Sequence, residues 1–343
     1  MKLPPKRRAA YLDQACGGDA QMRERIVQAI FAESEKTGAA PQSPPTTEAS
    51  TVIIPPVFNP PGEKAGDFIG RYKLLEKLGE GGMGSVWVAE QRQELHRKVA
   101  LKVIKLGMDT KQVIARFEAE RQALALMDHP GIARVLDAGA TENGRPFFVM
   151  ELVNGISITD YCDRHQLPPS QRLALFIKVC KALQHAHAKG IVHRDIKPQN
   201  ILVTVQDNVP TPKIIDFGIA KALAGQWLTD KTVHTQLEEF IGTPAYMSPE
   251  QAEMNALGID ARSDIYSLGV LLYELLTGLT PFKAWLLSRL STAEIRRIIR
   301  EEDPPKPSTG LTTLLSDEEQ ATVAKQRSCE IPALIHLVRG DLD

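Results

Sequence analysis

Hydrophobic and polar positions change their rhythm along this chain. "RYKLLEKL", "SVWVAEQR" and "KVALKVIKL", all between Arg71 and Leu106, are rich in β-branched residues and separated by short turns, and they predict three consecutive strands. "TKQVIARFEAERQALALM" then takes up the period of an amphipathic helix, and "RPFFVMELV" returns to a strand. Beyond Gly155 the pattern is mainly helical. "SQRLALFIKVCKALQHAHAKG" sets Leu173, Phe176, Ile177, Cys180 and Leu183 along one predicted face. A strand-rich part followed by a helical part predicts an α+β protein of two lobes, with a ligand cleft between them.

Upstream, residues 1–37 read as a short helical extension. Asp19 can cap a helix in which Met22, Ile26, Val27, Ile30 and Phe31 recur at helical spacing. Residues 38–66 change composition abruptly. "PQSPPTTEASTVIIPPVFNPPGEK" is dense in proline and threonine and predicts an extended, solvated linker. The globular part is then 67–343, with a first lobe over about 67–150 and a second over about 155–343.

Charge and composition narrow the function. A formal net charge of −1 speaks against a nucleic-acid binder that works by bulk electrostatics. No apolar run approaches the ~20 residues of a membrane helix, and the polar residues after "MKLPPKRR" do not form a signal-peptide core. Cys16, Cys162, Cys180 and Cys329 lie far apart without a CxxC pair, which predicts reduced thiols and a cytoplasmic setting.

The chemistry is concentrated in a few short stretches. "GEGGMGSV" holds Gly79, Gly81 and Gly84 in GxGxxG spacing, where backbone N–H groups can approach phosphate oxygens. A dinucleotide site needs such glycines to open a helix, whereas "SVWVAE" continues as a strand, so the glycines predict a hairpin lid. In "VALK", alternation puts Ala100 and Lys102 on the face that closes the cleft, within reach of phosphates under that lid. Glu120 on the following helix is the candidate carboxylate to hold Lys102. In "HRDIKPQN", Asp195 can accept a proton from an attacking hydroxyl and Lys197 can neutralise charge on the group in transit. Asn200 and Asp216, the latter in "KIIDFG", supply an amide and a carboxylate oxygen suited to Mg2+. Together these are the parts of a phosphoryl-transfer site.

The glycine loop, "VALK", "HRDIKPQN", "DFG" and "GTPAYMSPE", in that order, resemble the eukaryotic-type (Hanks-type) bacterial serine/threonine protein kinases. The resemblance runs from about Tyr72 to at least Phe282. It implies the two-lobed protein kinase fold, an N-lobe sheet plus αC helix and a mainly helical C-lobe, with ATP and Mg2+ as cofactors. It implies that Lys102 pairs with Glu120 and meets the α- and β-phosphates. It further implies a phosphate-covering loop of Gly79, Glu80, Gly81, Gly82, Met83 and Gly84. Leu78, Val86, Ala100 and Leu202 would sandwich the adenine, the backbone of Glu151 and Val153 would hydrogen-bond it, and Met150 would guard the back of the pocket. Lys197 and Thr243, in the "GTPAYMSPE" platform, resemble the serine/threonine branch, which implies protein substrates bearing Ser or Thr.

Thr229, Thr232 and Thr235 are candidate autophosphorylation sites, with Arg194 as the cation to receive a phosphate. Phosphorylation in trans would call for a homodimer. His185, His187 and His193 do not predict a metal site. His185 and His187 face different ways on one helix, and His193 reads as a packing residue. Asp264 in "RSDIYSLGV" is expected to anchor the catalytic loop. The resemblance also implies a late arginine to pair with Glu250, and none is evident, so the chain is expected to be a fragment with a less stable C-lobe. An inactive kinase-fold fragment acting as a nucleotide- or partner-binding module is the alternative reading, although Lys102, Asp195, Asn200 and Asp216 are all present.

Overall fold

The computed structural model describes residues 62–81, 84–92, 96–104, 127–217, 244–253, 259–283, 287 and 289–343. The expected helical extension (1–37), nearly all of the linker and the expected helix carrying Glu120 lie outside the described residues.

The first lobe is a six-stranded antiparallel sheet, ordered β1-β2-β3-β4-β6-β5. Its strands are β1 (Phe68–Ile69), β2 (Tyr72–Gly81), β3 (Gly84–Gln91), β4 (Arg97–Ile104), β5 (Val135–Ala140) and β6 (Pro146–Glu151). The three strands expected between Arg71 and Leu106 are β2, β3 and β4, and "RPFFVMELV" supplies β6. Alternation explains the register of β4. Val99, Leu101 and Val103 turn into the core, while Ala100 and Lys102 take the other, partly open face. The core under this sheet gathers Tyr72, Leu74, Trp87 and Phe147 around those β4 residues. Strand β5 is tied to β2 by Tyr72, whose hydroxyl donates to Asp137 Oδ2 at 2.7 Å, and by Arg71, whose Nη2 donates to the same oxygen at 2.8 Å.

The second lobe begins with a small sheet of β7 (Ile156–Ser157), β8 (Ile201–Gln206) and β9 (Val209–Ile214). Asp207 and Asn208 close the β8–β9 hairpin with φ of 49° and 61°, the two positive values that a tight hairpin turn of this hand requires. Among the described residues its helices are α1 (Ile158–Arg164), α2 (Pro169–His187), α3 (Pro249–Ala252), α4 (Ala261–Thr277), α5 (Thr292–Glu301), α6 (Pro307–Thr313), α7 (Asp317–Gln326) and α8 (Ile331–Val338). Ser157, Asp260, Ser291 and Ser316 cap α1, α4, α5 and α7, each accepting a backbone N–H from the first turn.

Helix α2 departs from its expected face. Leu175, Val179, Ala182, Leu183 and Ala186 are buried, while Ile177 is 51% exposed and Leu173, Phe176 and Cys180 lie at the margin. Small alanines let α2 approach its neighbours closely, so the buried stripe follows them and not the largest side chains. Buried Arg172 joins that stripe because its guanidinium has backbone partners. It donates to the carbonyls of Leu167 (2.8 Å), Cys162 (3.1 Å), Leu275 (3.1 Å) and Gln326 (2.6 Å). One side chain thereby staples α1, α2, α4 and α7 together.

Helix α4 runs through the lobe with Leu268, Leu271 and Leu275 in the main core and Leu276 in a second cluster under α6, α7 and α8. The lobes are stitched by the stretch that precedes β5. Ile214 N–H donates to Gly131 O (2.8 Å) and Ala133 N–H to Ile214 O (2.9 Å). Glu151 N–H, at the end of β6, donates to Arg134 O (2.9 Å). The strand that leads into "DFG" and the strand that leaves the first lobe therefore share one backbone seam.

Candidate active site

Strand β4 delivers Lys102 to the cleft, and β9 ends just before Asp216. Lys102 Nζ lies 2.5 Å from Asp216 Oδ1 and 2.6 Å from Oδ2. This ion pair holds Lys102 in the structure, and the expected partner Glu120 lies outside the described residues. Asp216 has φ of 57°, an uncommon conformation for a residue with a Cβ, which the bond to Lys102 helps to hold.

The loop 193–200 turns back on itself before β8. Asn200 Nδ2 donates to the backbone carbonyl of Asp195 at 2.7 Å and to Asp195 Oδ2 at 3.0 Å. Lys197 Nζ sits 2.9 Å from the same Oδ2. Ile215 N–H donates to Asn200 O at 2.9 Å, which brings the loop alongside Asp216. The structure thus gathers Asp195, Lys197, Asn200, Asp216 and Lys102 into one neighbourhood of linked side chains and backbone.

A buried scaffold fixes that loop. Asp264, only 1% exposed on α4, accepts the N–H of Arg194 at Oδ1 (2.7 Å) and the N–H of His193 at Oδ2 (2.8 Å). His187 Nε2 also lies 2.8 Å from Oδ2. Asp264 is therefore the anchor that its sequence context suggested. Arg194 has φ of 66°, and its carbonyl accepts from Gln251 Nε2 at 2.9 Å. Gln251 was not singled out in the sequence; its signal was the capping box of "SPEQ", which also closes here with Ser248.

His193 is fully buried, with its ring 4.6 Å from that of Phe217. Burial pushes its pKa down, against the pull of Asp264 and Asp195, which favours the neutral ring. Nδ1 accepts the Asp195 N–H at 3.2 Å, which leaves the ring proton on Nε2, 3.1 Å from Ile215 O. His193 is thus a packing residue that bridges the two chemical loops. The His185 ring lies 5.3 Å from that of His129, tilted by 39°, and no cluster of His, Cys, Asp or Glu among the described residues could hold a metal on its own.

Most of the residues expected to line the nucleotide lie on the strands around Lys102, with Leu202 on β8 and Val153 just after β6. Gly79 pairs with Val86, Val86 with Lys102 and Ala100 with Met150 across the sheet. Leu78, Glu80 and Gly81 lie exposed along β2, Val86, Ala100, Val153 and Leu202 are partly open, and Met150 is buried. Gly84 has φ of 146°, and a Cβ there would collide with Val103 O, so only glycine allows β3 to start against β4. At Gly79 and Gly81 a Cβ would meet nothing within 4 Å, which leaves their backbones open to an approaching ligand. Gly82, Met83, Thr229, Thr232, Thr235 and Thr243 lie outside the described residues. Glu250 accepts from Ser263 Oγ at 2.6 Å.

A strand-rich lobe and a helical lobe, with a lysine, two aspartates and an asparagine converging between them, define a protein kinase. The family model "Protein kinase domain" matches residues 72–330, and the chain belongs to this family, on its Hanks-type bacterial serine/threonine branch. Relatives include the serine/threonine-protein kinase PknB of Mycobacterium leprae, 41% identical over 244 residues, which are 69% of this chain and 36% of the relative. The serine/threonine-protein kinase Pkn1 of Myxococcus xanthus is 36% identical over 275 residues, 79% of this chain and 36% of the relative. The chain thus spans about a third of the length of these curated relatives. Among solved structures, the PknI kinase domain of Mycobacterium tuberculosis aligns with a TM-score of 0.53 and 25% identity, over 80% of this chain and 96% of that one.

Proposed function

We propose that this chain transfers the γ-phosphoryl group of ATP, with Mg2+, to serine or threonine hydroxyls of protein substrates. The observation that carries the reading is the convergence of Lys102, Asp195, Asn200 and Asp216 through direct contacts. Asp195 orients the incoming hydroxyl and accepts its proton, and Lys197 beside it offsets negative charge on the group in transit. Lys102 holds nucleotide phosphates. For that it must exchange its bond to Asp216, which frees the carboxylate for a cation.

The donor set fits magnesium. Asn200 commits its amide nitrogen to Asp195, which leaves Oδ1 as the donor atom, and Asp216 contributes a carboxylate. The bound ion would supply charge neutralisation at the phosphate oxygens. Leu78, Val86, Ala100 and Leu202 supply apolar walls for adenine, the backbone of Glu151 and Val153 its hydrogen bonds, and Met150 the back of the pocket. Thr243 serves the substrate platform, and Glu120 is the partner Lys102 takes up when the phosphates arrive.

Autophosphorylation at Thr229, Thr232 or Thr235 in trans, through a homodimer, is part of this reading. Its support is Arg194, in the loop 193–200, whose Nε is buried without a hydrogen-bond partner among the described residues. No described helix is long and apolar enough to cross a membrane, and the proposed reaction belongs in the cytoplasm, where ATP is held. The test is incubation with γ-labelled ATP and a generic basic protein, with magnesium or with a chelator. Label on serine or threonine that requires magnesium is the expected result; label on tyrosine alone, or none, would refute the reading.

A further inference from the structure

A cavity of 520 Å3 opens where the start of β4, the stretch leading into β5, the end of β6 and β9 meet. Its lining shares only Glu151 with the residues assigned to the nucleotide, and there the nucleotide reading uses backbone alone. The volume falls in the range of small-molecule sites, ~300–1,000 Å3, and the lining has their mixed character. Pro130, Ile132, Leu136 and Leu152 supply apolar wall. Around them stand four cations, Arg97, Lys98, Arg134 and Lys213, against only two carboxylates, Asp128 and Glu151.

The pairing of these charges shows what is left over. Arg134 Nη2 lies 2.7 Å from Asp128 Oδ1, and Lys213 pairs with Glu151. Arg97 has only the neutral Gln91 Oε1 as its described side-chain acceptor, at 2.8 Å. Lys98 is exposed and stands across the sheet from Glu90, whose carboxylate is taken by Arg92 at 2.8 Å. His129 adds no compensating negative charge, and burial with the field of His185 lowers its pKa. The lining therefore carries a formal excess of two positive charges beside an apolar floor, an arrangement that favours negative ligands.

We propose that this cavity is a second ligand site, separate from the nucleotide cleft, that takes a small anion with an apolar body: a carboxylate, sulfonate or phosphate on an aromatic or aliphatic frame. The apolar part rests on Ile132, Leu136 and Leu152, and the anion faces Arg97 and Lys98. The volume accommodates a molecule of about two fused rings and is too small for a folded segment.

The test is a titration of the full chain, labelled at Ile, Leu and Val methyls, with naphthalene-2-sulfonate, followed by NMR. Saturable shifts at Ile132, Leu136 and Leu152, with Val86 and Leu202 unmoved, are expected. Lys98→Glu should weaken binding at least fivefold, and neutral naphthalene-2-carboxamide should bind at least tenfold more weakly than the sulfonate. Leu136→Trp, which fills the cavity, should abolish the shifts. Lys98→Glu is a surface change, so it keeps the test decisive if Leu136→Trp does not fold. The absence of saturable shifts at these methyls, shifts confined to Val86 and Leu202, or equal affinity for both probes in parent and Lys98→Glu would overturn the proposal. The readout does not involve phosphoryl transfer, so the two readings fail separately.

Discussion

Replacing Asp264 by asparagine tests whether the catalytic loop is held from below. The carboxylate accepts Arg194 N–H at Oδ1 and both His193 N–H and His187 Nε2 at Oδ2. An amide retains one acceptor oxygen. If that oxygen keeps the two Oδ2 partners, an NH2 group faces the Arg194 N–H and leaves a buried donor unsatisfied, at a cost of about 1–3 kcal/mol. Arg194 also sits at φ of 66°, a strained conformation that this hydrogen bond helps to maintain. Taking about 2 kcal/mol as the loss, the ratio of held to released loops falls roughly 30-fold. Hydrogen exchange at the amides of 193 and 194 should accelerate by a similar factor, and the transfer rate should fall with it. Nucleotide affinity should stay within about twofold, because no strand of the first lobe is touched. Unchanged exchange at both amides together with an unchanged transfer rate would refute the reasoning.

Three further outcomes follow from particular contacts. Arg172→Met removes donors to four carbonyls and the 2.8 Å contact with Asp163, and should cost about 3–5 kcal/mol in urea unfolding; a loss under 1 kcal/mol would show that the staple is dispensable. Gly84→Ala drives a Cβ onto Val103 O and should lower the melting temperature and weaken nucleotide binding, whereas full retention of both would mean that β3 can start differently. Glu274 has its pKa raised, chiefly by burial, with Tyr246 and Arg327 opposing. A raised carboxyl pKa contributes stability below the unfolded value and loses it as pH rises through the folded one. Glu274→Gln should therefore gain on the parent in melting temperature as pH climbs from about 4 to 8, and a pH-independent difference would contradict this.

Much of the site was legible because its chemistry is carried by short contiguous stretches. "HRDIKPQN" brings Asp195, Lys197 and Asn200 together by local turning alone, and the hydrogen bonds among them span at most five residues. Strand alternation likewise placed Ala100 and Lys102 on the cleft face. Less legible was β5, "VLDAGA", because its aspartate and glycine break the apolar run and its place comes from pairing with β6. The buried face of α2 was misjudged for a related reason. Side-chain size ranked Ile177 above Ala182 and Ala186, but close helix approach and the backbone acceptors around Arg172 decided the phase. The Lys102–Asp216 and Glu151–Lys213 pairs join residues far apart in sequence, which local pattern does not reveal.

The central claim, that Asp195 serves an attacking hydroxyl in this cleft, is tested most directly by a single-turnover comparison of the parent chain with Asp195→Asn. Labelled γ-phosphate transfer and nucleotide affinity would be measured on the same preparations. Transfer should fall by roughly 10²–10⁴-fold with nucleotide affinity kept, since the substitution removes the proton acceptor and leaves the nucleotide's contacts in place. Transfer by Asp195→Asn at the parent's rate would contradict the account.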